Sequence, residues 1–292
     1  MERYDLDPRD EATERFHEAI TGPADEVPLA RAALLISQCE YPGIDVDVHE
    51  RRLQDIAETL QQRLVRDAER RPSPLRVVQT INQLLYRELG FHGDNEHYDD
   101  PRNLYLSHVL SERTGIPVTL AIVYAEVAQR AGLDVRIIGL PGHIVCLYRP
   151  EGGDEADAMY LDVFNGGRVL TVRDCQVLVR NIFGAKVPFK PYYLAGLTPR
   201  QVLQRLLHNL KAGHLQRGDE ERAARAIDLL LAMFPWDLDE IRDRGMLRER
   251  LGDYPLALDD LEQYVQYRTG ARDIQTVAET VRSLRRHTDN EG

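Results

Sequence analysis

Residues 115–132 constrain the fold more than any other stretch. Gly115-Ile116-Pro117 opens a segment that closes at Ala131-Gly132. Between them Val118, Leu120, Ala121, Ile122, Val123, Tyr124, Val127 and Ala128 leave little polar surface on any side. Pro117 suits a first helical turn, where its missing N–H is no loss, and Gly132 suits the exit. A helix apolar around most of its circumference has to be covered all round, so this is the predicted central helix. The cover follows directly. Residues 135–138, 144–148 and 159–164 are β-branched and aromatic runs bounded by Gly, Pro or Asp, and they read as strands, with a short fourth at 168–171.

The preceding part of the chain reads as helical. Residues 11–20 and 29–39 carry apolar positions at helical spacing, and a long amphipathic segment opens at Asp45 with Leu53, Ile56, Leu60 and Leu64 in its stripe. A further helix is predicted over 75–89, ended by Gly90. Residues 91–103 have no period, and their Gly, Asn, Asp, His and Tyr indicate an ordered loop before another helix over 102–113. Helices first and strands after predict an α+β fold, mostly helical, with a small antiparallel sheet against the buried helix.

Beyond residue 190 the character changes. Residues 203–216, 220–233, 238–251, 255–266 and 274–286 all read as amphipathic helices. Arg217-Gly218-Asp219 recurs as Leu251-Gly252-Asp253 at a spacing of 34, Ala223 recurs as Ala257 at the same offset, and Pro235 closes the first unit. A helical hairpin of that period with small residues so placed is tetratricopeptide-like. The expected organisation is an N-terminal helical region over 1–90, a core over 91–190 and the repeat region over 191–292.

A net charge of −11 opposes phosphate backbones, so no nucleic-acid partner is expected. No apolar run approaches the roughly 20 residues of a membrane helix, and the first residues lack the pattern of a signal peptide. Cys39, Cys146 and Cys175 are an odd number with no CxxC, which fits a reducing cytoplasm and offers neither a disulfide framework nor a zinc site. No cofactor and no metal are expected.

Two residues stand out chemically. His143 follows Pro141-Gly142, and Asp162 interrupts the apolar run Tyr160-Leu161-Asp162-Val163-Phe164. On neighbouring strands the carboxylate would fix the ring's tautomer and orientation. Alternatively His143 is a turn residue and Asp162 a cap, and spacing alone leaves both open. The loop Asp94-Asn95-Glu96-His97-Tyr98-Asp99-Asp100 lacks the Asp-x-Asp-x-Asp-Gly order of a calcium loop, so its Asn and Asp residues read as caps of turns and helix ends. Asn165-Gly166-Gly167 reads as a tight turn after the Asp162 strand.

Four motifs carry a resemblance: residues 86–91 (YRELGF), 113–120 (RTGIPVTL), 140–143 (LPGH) and 161–168 (LDVFNGGR). Together they resemble the transglutaminase-like fold and, within it, the bacterial SirB-type family, in which tetratricopeptide repeats follow the core. The resemblance implies His143 at the histidine position, Asp162 at the aspartate position and a nucleophile at the start of the buried helix. No cysteine is there. Thr119 is the one residue of that turn with a nucleophilic atom, while alignment on Gly132 puts Pro117 at the cysteine position. Asn95, Tyr98, Asp99, Asn103 and Asn165 are expected to line the cleft. Cys146 lies three residues beyond His143 and should face the other side of its strand. Cys175 falls among Val172, Val177 and Leu178, and both cysteines read as small core residues.

Two functions follow as expectations. One is a degenerate transglutaminase-like scaffold that binds a protein or peptide partner through its repeat helices. The other is a hydrolase or amidase working through Thr119, or through a water activated by His143 and Asp162. Thiol transglutaminase or cysteine protease chemistry is not expected.

Overall fold

The structure is a computed structural model, and it describes residues 8–68, 73–154, 157–184 and 188–291. The chain opens with four helices: α1 (Pro8–Ala19), α2 (Leu29–Glu40), α3 (Val46–Ala68) and α4 (Pro74–Asn82). Ser73 caps α4 by accepting a hydrogen bond from the Arg76 N–H, and Pro74 fills its first turn. The helix predicted over 75–89 is not regular throughout. Over Gln83–Glu88 it loosens into a π-helical turn, in which the Leu89 N–H reaches the Leu84 carbonyl at 3.0 Å. Such wide turns are locally unfavourable and concentrate at functional positions. Gly90, at φ +78°, then ends the helix as its position predicts.

Next, β1 (His92–Gly93) pairs in parallel with β2 (Thr114–Gly115). Between them lie a 3₁₀ turn, Pro101–Leu104, and α5 (Leu106–Glu112). The single helix expected over 102–113 is therefore two pieces. The Asp100 carboxylate accepts from the Arg102 N–H and starts the first, while Tyr105 is extended and separates it from the second.

The predicted central helix is α6 (Pro117–Arg130), with every residue from Pro117 to Ala125 buried. Against it lies one antiparallel sheet in the order β3 (Asp134–Leu140), β4 (His143–Arg149), β5 (Met159–Asp162) and β6 (Arg168–Leu170). Alternation along the strands separates two faces. Val145 and Leu147 join Ile138, Leu140 and Leu170 in a cluster with Cys175 and Val179 of α7 (Val172–Phe183). Cys146 looks the other way, its Sγ 3.9 Å from the Ala121 carbonyl of α6. The strand expected over 159–164 stops two residues early. Val163–Asn165 forms a 3₁₀ turn, and Gly166 and Gly167, at φ +72° and +70°, bring the chain back so that the Gly167 N–H bonds the Asp162 carbonyl at 2.9 Å.

The chain divides into two compact units, residues 1–206 and 207–292. Residues 191–206 thus belong with the sheet, beyond the boundary expected at 190. Hydrogen bonds explain the shift: the Leu197 N–H reaches the Ile137 carbonyl, and Arg205, in α8 (Pro199–Gln216), donates to the carbonyls of Leu140 and His143 at 3.0 Å each.

The second unit contains the end of α8 with α9 (Glu220–Met233), α10 (Leu238–Leu251), α11 (Tyr254–Tyr267) and α12 (Ile274–Glu291). Its repeat marks have local causes. Gly218 and Gly252 turn the chain at φ +71° and +83°, where a side chain would be strained, and Ala223 and Ala257 are fully buried between helices. Gly245 does the same for α10, since a Cβ there would sit 2.7 Å from the Leu261 side chain of α11. The molecule is mostly helical with a small sheet and tetratricopeptide-like helices at its C-terminal end.

Candidate functional site

Strand pairing brings His143 and Asp162 together. His143 begins β4 and Asp162 ends β5; the ring Nε2 lies 3.2 Å from Asp162 Oδ1. Asp162 is 0% exposed, and its second oxygen accepts from Asn165 Nδ2 at 2.8 Å. The Arg168 guanidinium stands 3.8 Å from that same oxygen, largely in solvent. Burial by itself would raise the Asp162 pKa. The hydrogen bonds from His143 and Asn165 outweigh it, and the carboxyl ends below its ordinary value. Asp162 is therefore an anion that orients one ring nitrogen of His143. The turn before His143 is held from both sides. Arg205 caps the Leu140 and His143 carbonyls, and a Cβ on Gly142 (φ +71°) would meet Ile182 at 2.8 Å.

Thr119 is placed differently. It is 0% exposed in the first turn of α6. Its hydroxyl donates toward the carbonyls of Asn103, at 2.8 Å, and Ile116, at 3.1 Å, and accepts from the Ile116 N–H at 3.2 Å. That last contact is the returning half of a capping box. Gly115 makes room for it, because a Cβ there would lie 2.8 Å from Thr119 Oγ1. Pro117 is buried in the same turn.

The loop before α5 is organised by Asp94. One of its oxygens accepts from the N–H groups of Glu96 and His97, and the other from Asn103 Nδ2 at 2.9 Å. Asn103 is buried, and it also donates to the His97 carbonyl. Asn103 therefore latches the loop and, through its carbonyl, the α6 start; it does not face an open cleft. Tyr98 packs edge-on against Phe164, centroids 5.8 Å apart, and Asp99 is exposed. Among the described residues no group of three or more His, Cys, Asp or Glu is disposed to hold a metal ion.

All three cysteines are buried and unpaired. Burial raises each thiol, pushing Cys175 up to about 11 and Cys146 higher still. The native protein at neutral pH should therefore give almost no rapid reaction with a thiol-specific disulfide reagent, and three equivalents after denaturation. A fast-reacting native thiol would show that one of them is open to solvent.

Asn95 and Asn165 do border a cavity, of 1190 Å³, whose wall also includes Asn82, Tyr86, Phe164 and four arginines, Arg63, Arg66, Arg76 and Arg87. Neither His143 nor Asp162 lines it, but Asn165 touches both places. Tyr86 donates from its hydroxyl to the Val163 carbonyl at 2.9 Å, and Asn82 donates to the Gly167 carbonyl at 2.8 Å. These two contacts fasten the turn carrying Asn165 to α4 and the π-helical turn. Sequence reading did not find these residues. The arginines look like solvated helix faces, and only Asn82, polar within an apolar stripe, offered a signal.

Residues 48–208 match the transglutaminase-like superfamily, and residues 210–282 match a tetratricopeptide repeat family. The UPF0162 protein of Xylella fastidiosa (strain 9a5c) is 32% identical over 254 residues, spanning 86% of this chain and 88% of its own length. The UPF0162 protein of Vibrio cholerae is 30% identical over 185 residues, 63% of this chain and 67% of that one. F-box only protein 21 of Homo sapiens is 29% identical over 204 residues, 65% of this chain but 32% of that protein. A superfamily match through the sheet and its buried helix, repeats after it along the chain and likeness over most of both chains place this protein: it belongs to the UPF0162 family of transglutaminase-like proteins.

Proposed function

We propose that this protein is a regulatory scaffold built on a degenerate transglutaminase-like core. It binds a protein or peptide partner through its repeat helices and performs no acyl transfer through Thr119. The observation that carries this reading is the Thr119 hydroxyl, fully buried and bonded to Asn103 and Ile116. A nucleophilic hydroxyl needs an adjacent base and an open face toward substrate, and this one has backbone partners on every side. The cysteines lie in the core with raised pKa values and cannot stand in for it. Tetratricopeptide repeats are generally surfaces for other proteins, which supports the partner half of the reading.

The test compares Thr119→Val, Thr119→Ser and His143→Ala with the parent chain on a panel of ester and amide substrates. All four should match the uncatalysed rate. Thr119→Val should lose about 1–2 kcal/mol of stability, because the Asn103 carbonyl and Ile116 N–H are left buried and unpaired, while Thr119→Ser should lose much less. Turnover abolished by Thr119→Val would overturn the proposal.

The His143–Asp162 pair supports a second reading, hydrolysis by a water that His143 deprotonates. Its signature would be turnover lost in His143→Ala and retained in Thr119→Ser and Thr119→Val.

A further inference from the structure

Four arginines border one cavity in a protein whose net charge is −11. No carboxylate appears among the described residues of its wall. Clustering like charges costs free energy unless an anion neutralises them. Part of the neutralisation is internal. Arg63 of α3 makes a two-pronged contact with Glu88, 2.8 and 2.7 Å, across to the π-helical turn. One turn further along the same face of α3 is Arg66, and beside Glu88 on the wide turn is Arg87. Both are exposed, and neither has an ion pair among the described residues. The Arg63–Glu88 contact shows that side chains span the gap between these two elements. An external anion would then lie between Arg66 and Arg87 much as the Glu88 carboxylate lies against Arg63.

We infer that this cavity is a binding site for a phosphorylated small molecule. Its phosphoryl oxygens would take the Arg66 and Arg87 guanidinium groups, which donate in a planar fork suited to such oxygens. At 1190 Å³ the cavity exceeds what a lone inorganic ion needs and accommodates a drug-sized body. Gln79 and Asn95, both exposed on the wall, supply neutral polar contacts for that body. The wide turn gives the site its shape, since it carries both Tyr86 and Arg87 on the wall. Asn165 connects the site to Asp162, so ligand and dyad share one loop. The inference does not depend on the reading of Thr119, and either can fail alone.

The experiment is calorimetric titration of the full chain with sodium pyrophosphate at low ionic strength. One saturable site is expected. The double variant Arg66→Gln/Arg87→Gln should weaken it about tenfold or more. A control double variant on exposed arginines of α7, Arg173→Gln/Arg180→Gln, should leave it unchanged. Both doubles alter exposed side chains only, and their melting curves should overlay the parent's. Absence of saturable heat, or an equal loss in the control, would overturn the inference. So would tight binding of a single-stranded oligonucleotide without competition by pyrophosphate, because the cations would then serve a polymer backbone.

Discussion

Gly167→Ala should lower stability by about 3 kcal/mol, read as a shift of the urea midpoint with unchanged slope. Two effects add. The residue sits at φ +70°, where any L side chain is strained by about 1–2 kcal/mol. Its Cβ would also fall 2.0 Å from Asn82 Oδ1, inside any real contact distance. Asn82 cannot swing away freely, because its amide holds the Gly167 carbonyl and its oxygen accepts from the Tyr124 hydroxyl at 3.2 Å. The mechanism is checked by a double-mutant cycle with Asn82→Ala. That change alone should cost about 1–2 kcal/mol for the two lost hydrogen bonds. The double variant should cost less than the sum by about 1 kcal/mol, since the clash is gone. Strict additivity would mean that the clash with Asn82 is not what makes glycine necessary here.

The other large effect lies among the repeat helices. Asp260 of α11 is 4% exposed and accepts from Arg244 Nε and Nη2 of α10 at 2.8 and 2.7 Å, and from Arg248 Nη1 at 2.9 Å. Asp228 of α9 accepts from the same two arginines at 2.9 and 3.4 Å, but its side chain is 45% exposed. Removing one partner of a buried ionic cluster strands the others in low dielectric. Asp260→Ala should therefore cost about 3–5 kcal/mol. Asp228→Ala should cost under about 1 kcal/mol, because water screens that contact. The ordering is the sharper claim. Comparable losses from both substitutions, measured by chemical denaturation, would show that burial does not set the strength of this network.

Legibility from sequence followed the range of the physics involved. Positions governed by neighbours along the chain were readable. Pro117, Gly90, and the glycines and alanines spaced by 34 all act through φ, a helix start or a local close approach, and each stands where its type predicts. Side-chain alternation likewise put Cys146 on the face opposite His143, and its Sγ turns to the Ala121 carbonyl of α6. Failures came where a distant partner intervenes. The strand ends at Asp162, not Phe164, because Tyr86 and Asn82 hold the following turn from another helix. The helix over 75–89 carries a π-helical turn that no periodicity announces. Asn103 looked like a cleft residue and is a buried latch, since its partners Asp94 and Thr119 converge on it from two elements.

By itself, then, the sequence determined the buried central helix, the strands that cover it, the helical repeats that follow them in the chain and the candidate pair His143 and Asp162. Burial of apolar surface dictates the first three, and it operates on patterns a few residues long. Tertiary structure alone decided the chemistry. It closed His143 onto Asp162 at 3.2 Å across paired strands and committed the Thr119 hydroxyl to a carbonyl 16 residues away. It also gathered arginines from α3, α4 and the wide turn around one cavity. Hydrogen bonds and charge clusters depend on distances between remote segments, and a linear pattern holds no record of those distances until the chain has packed.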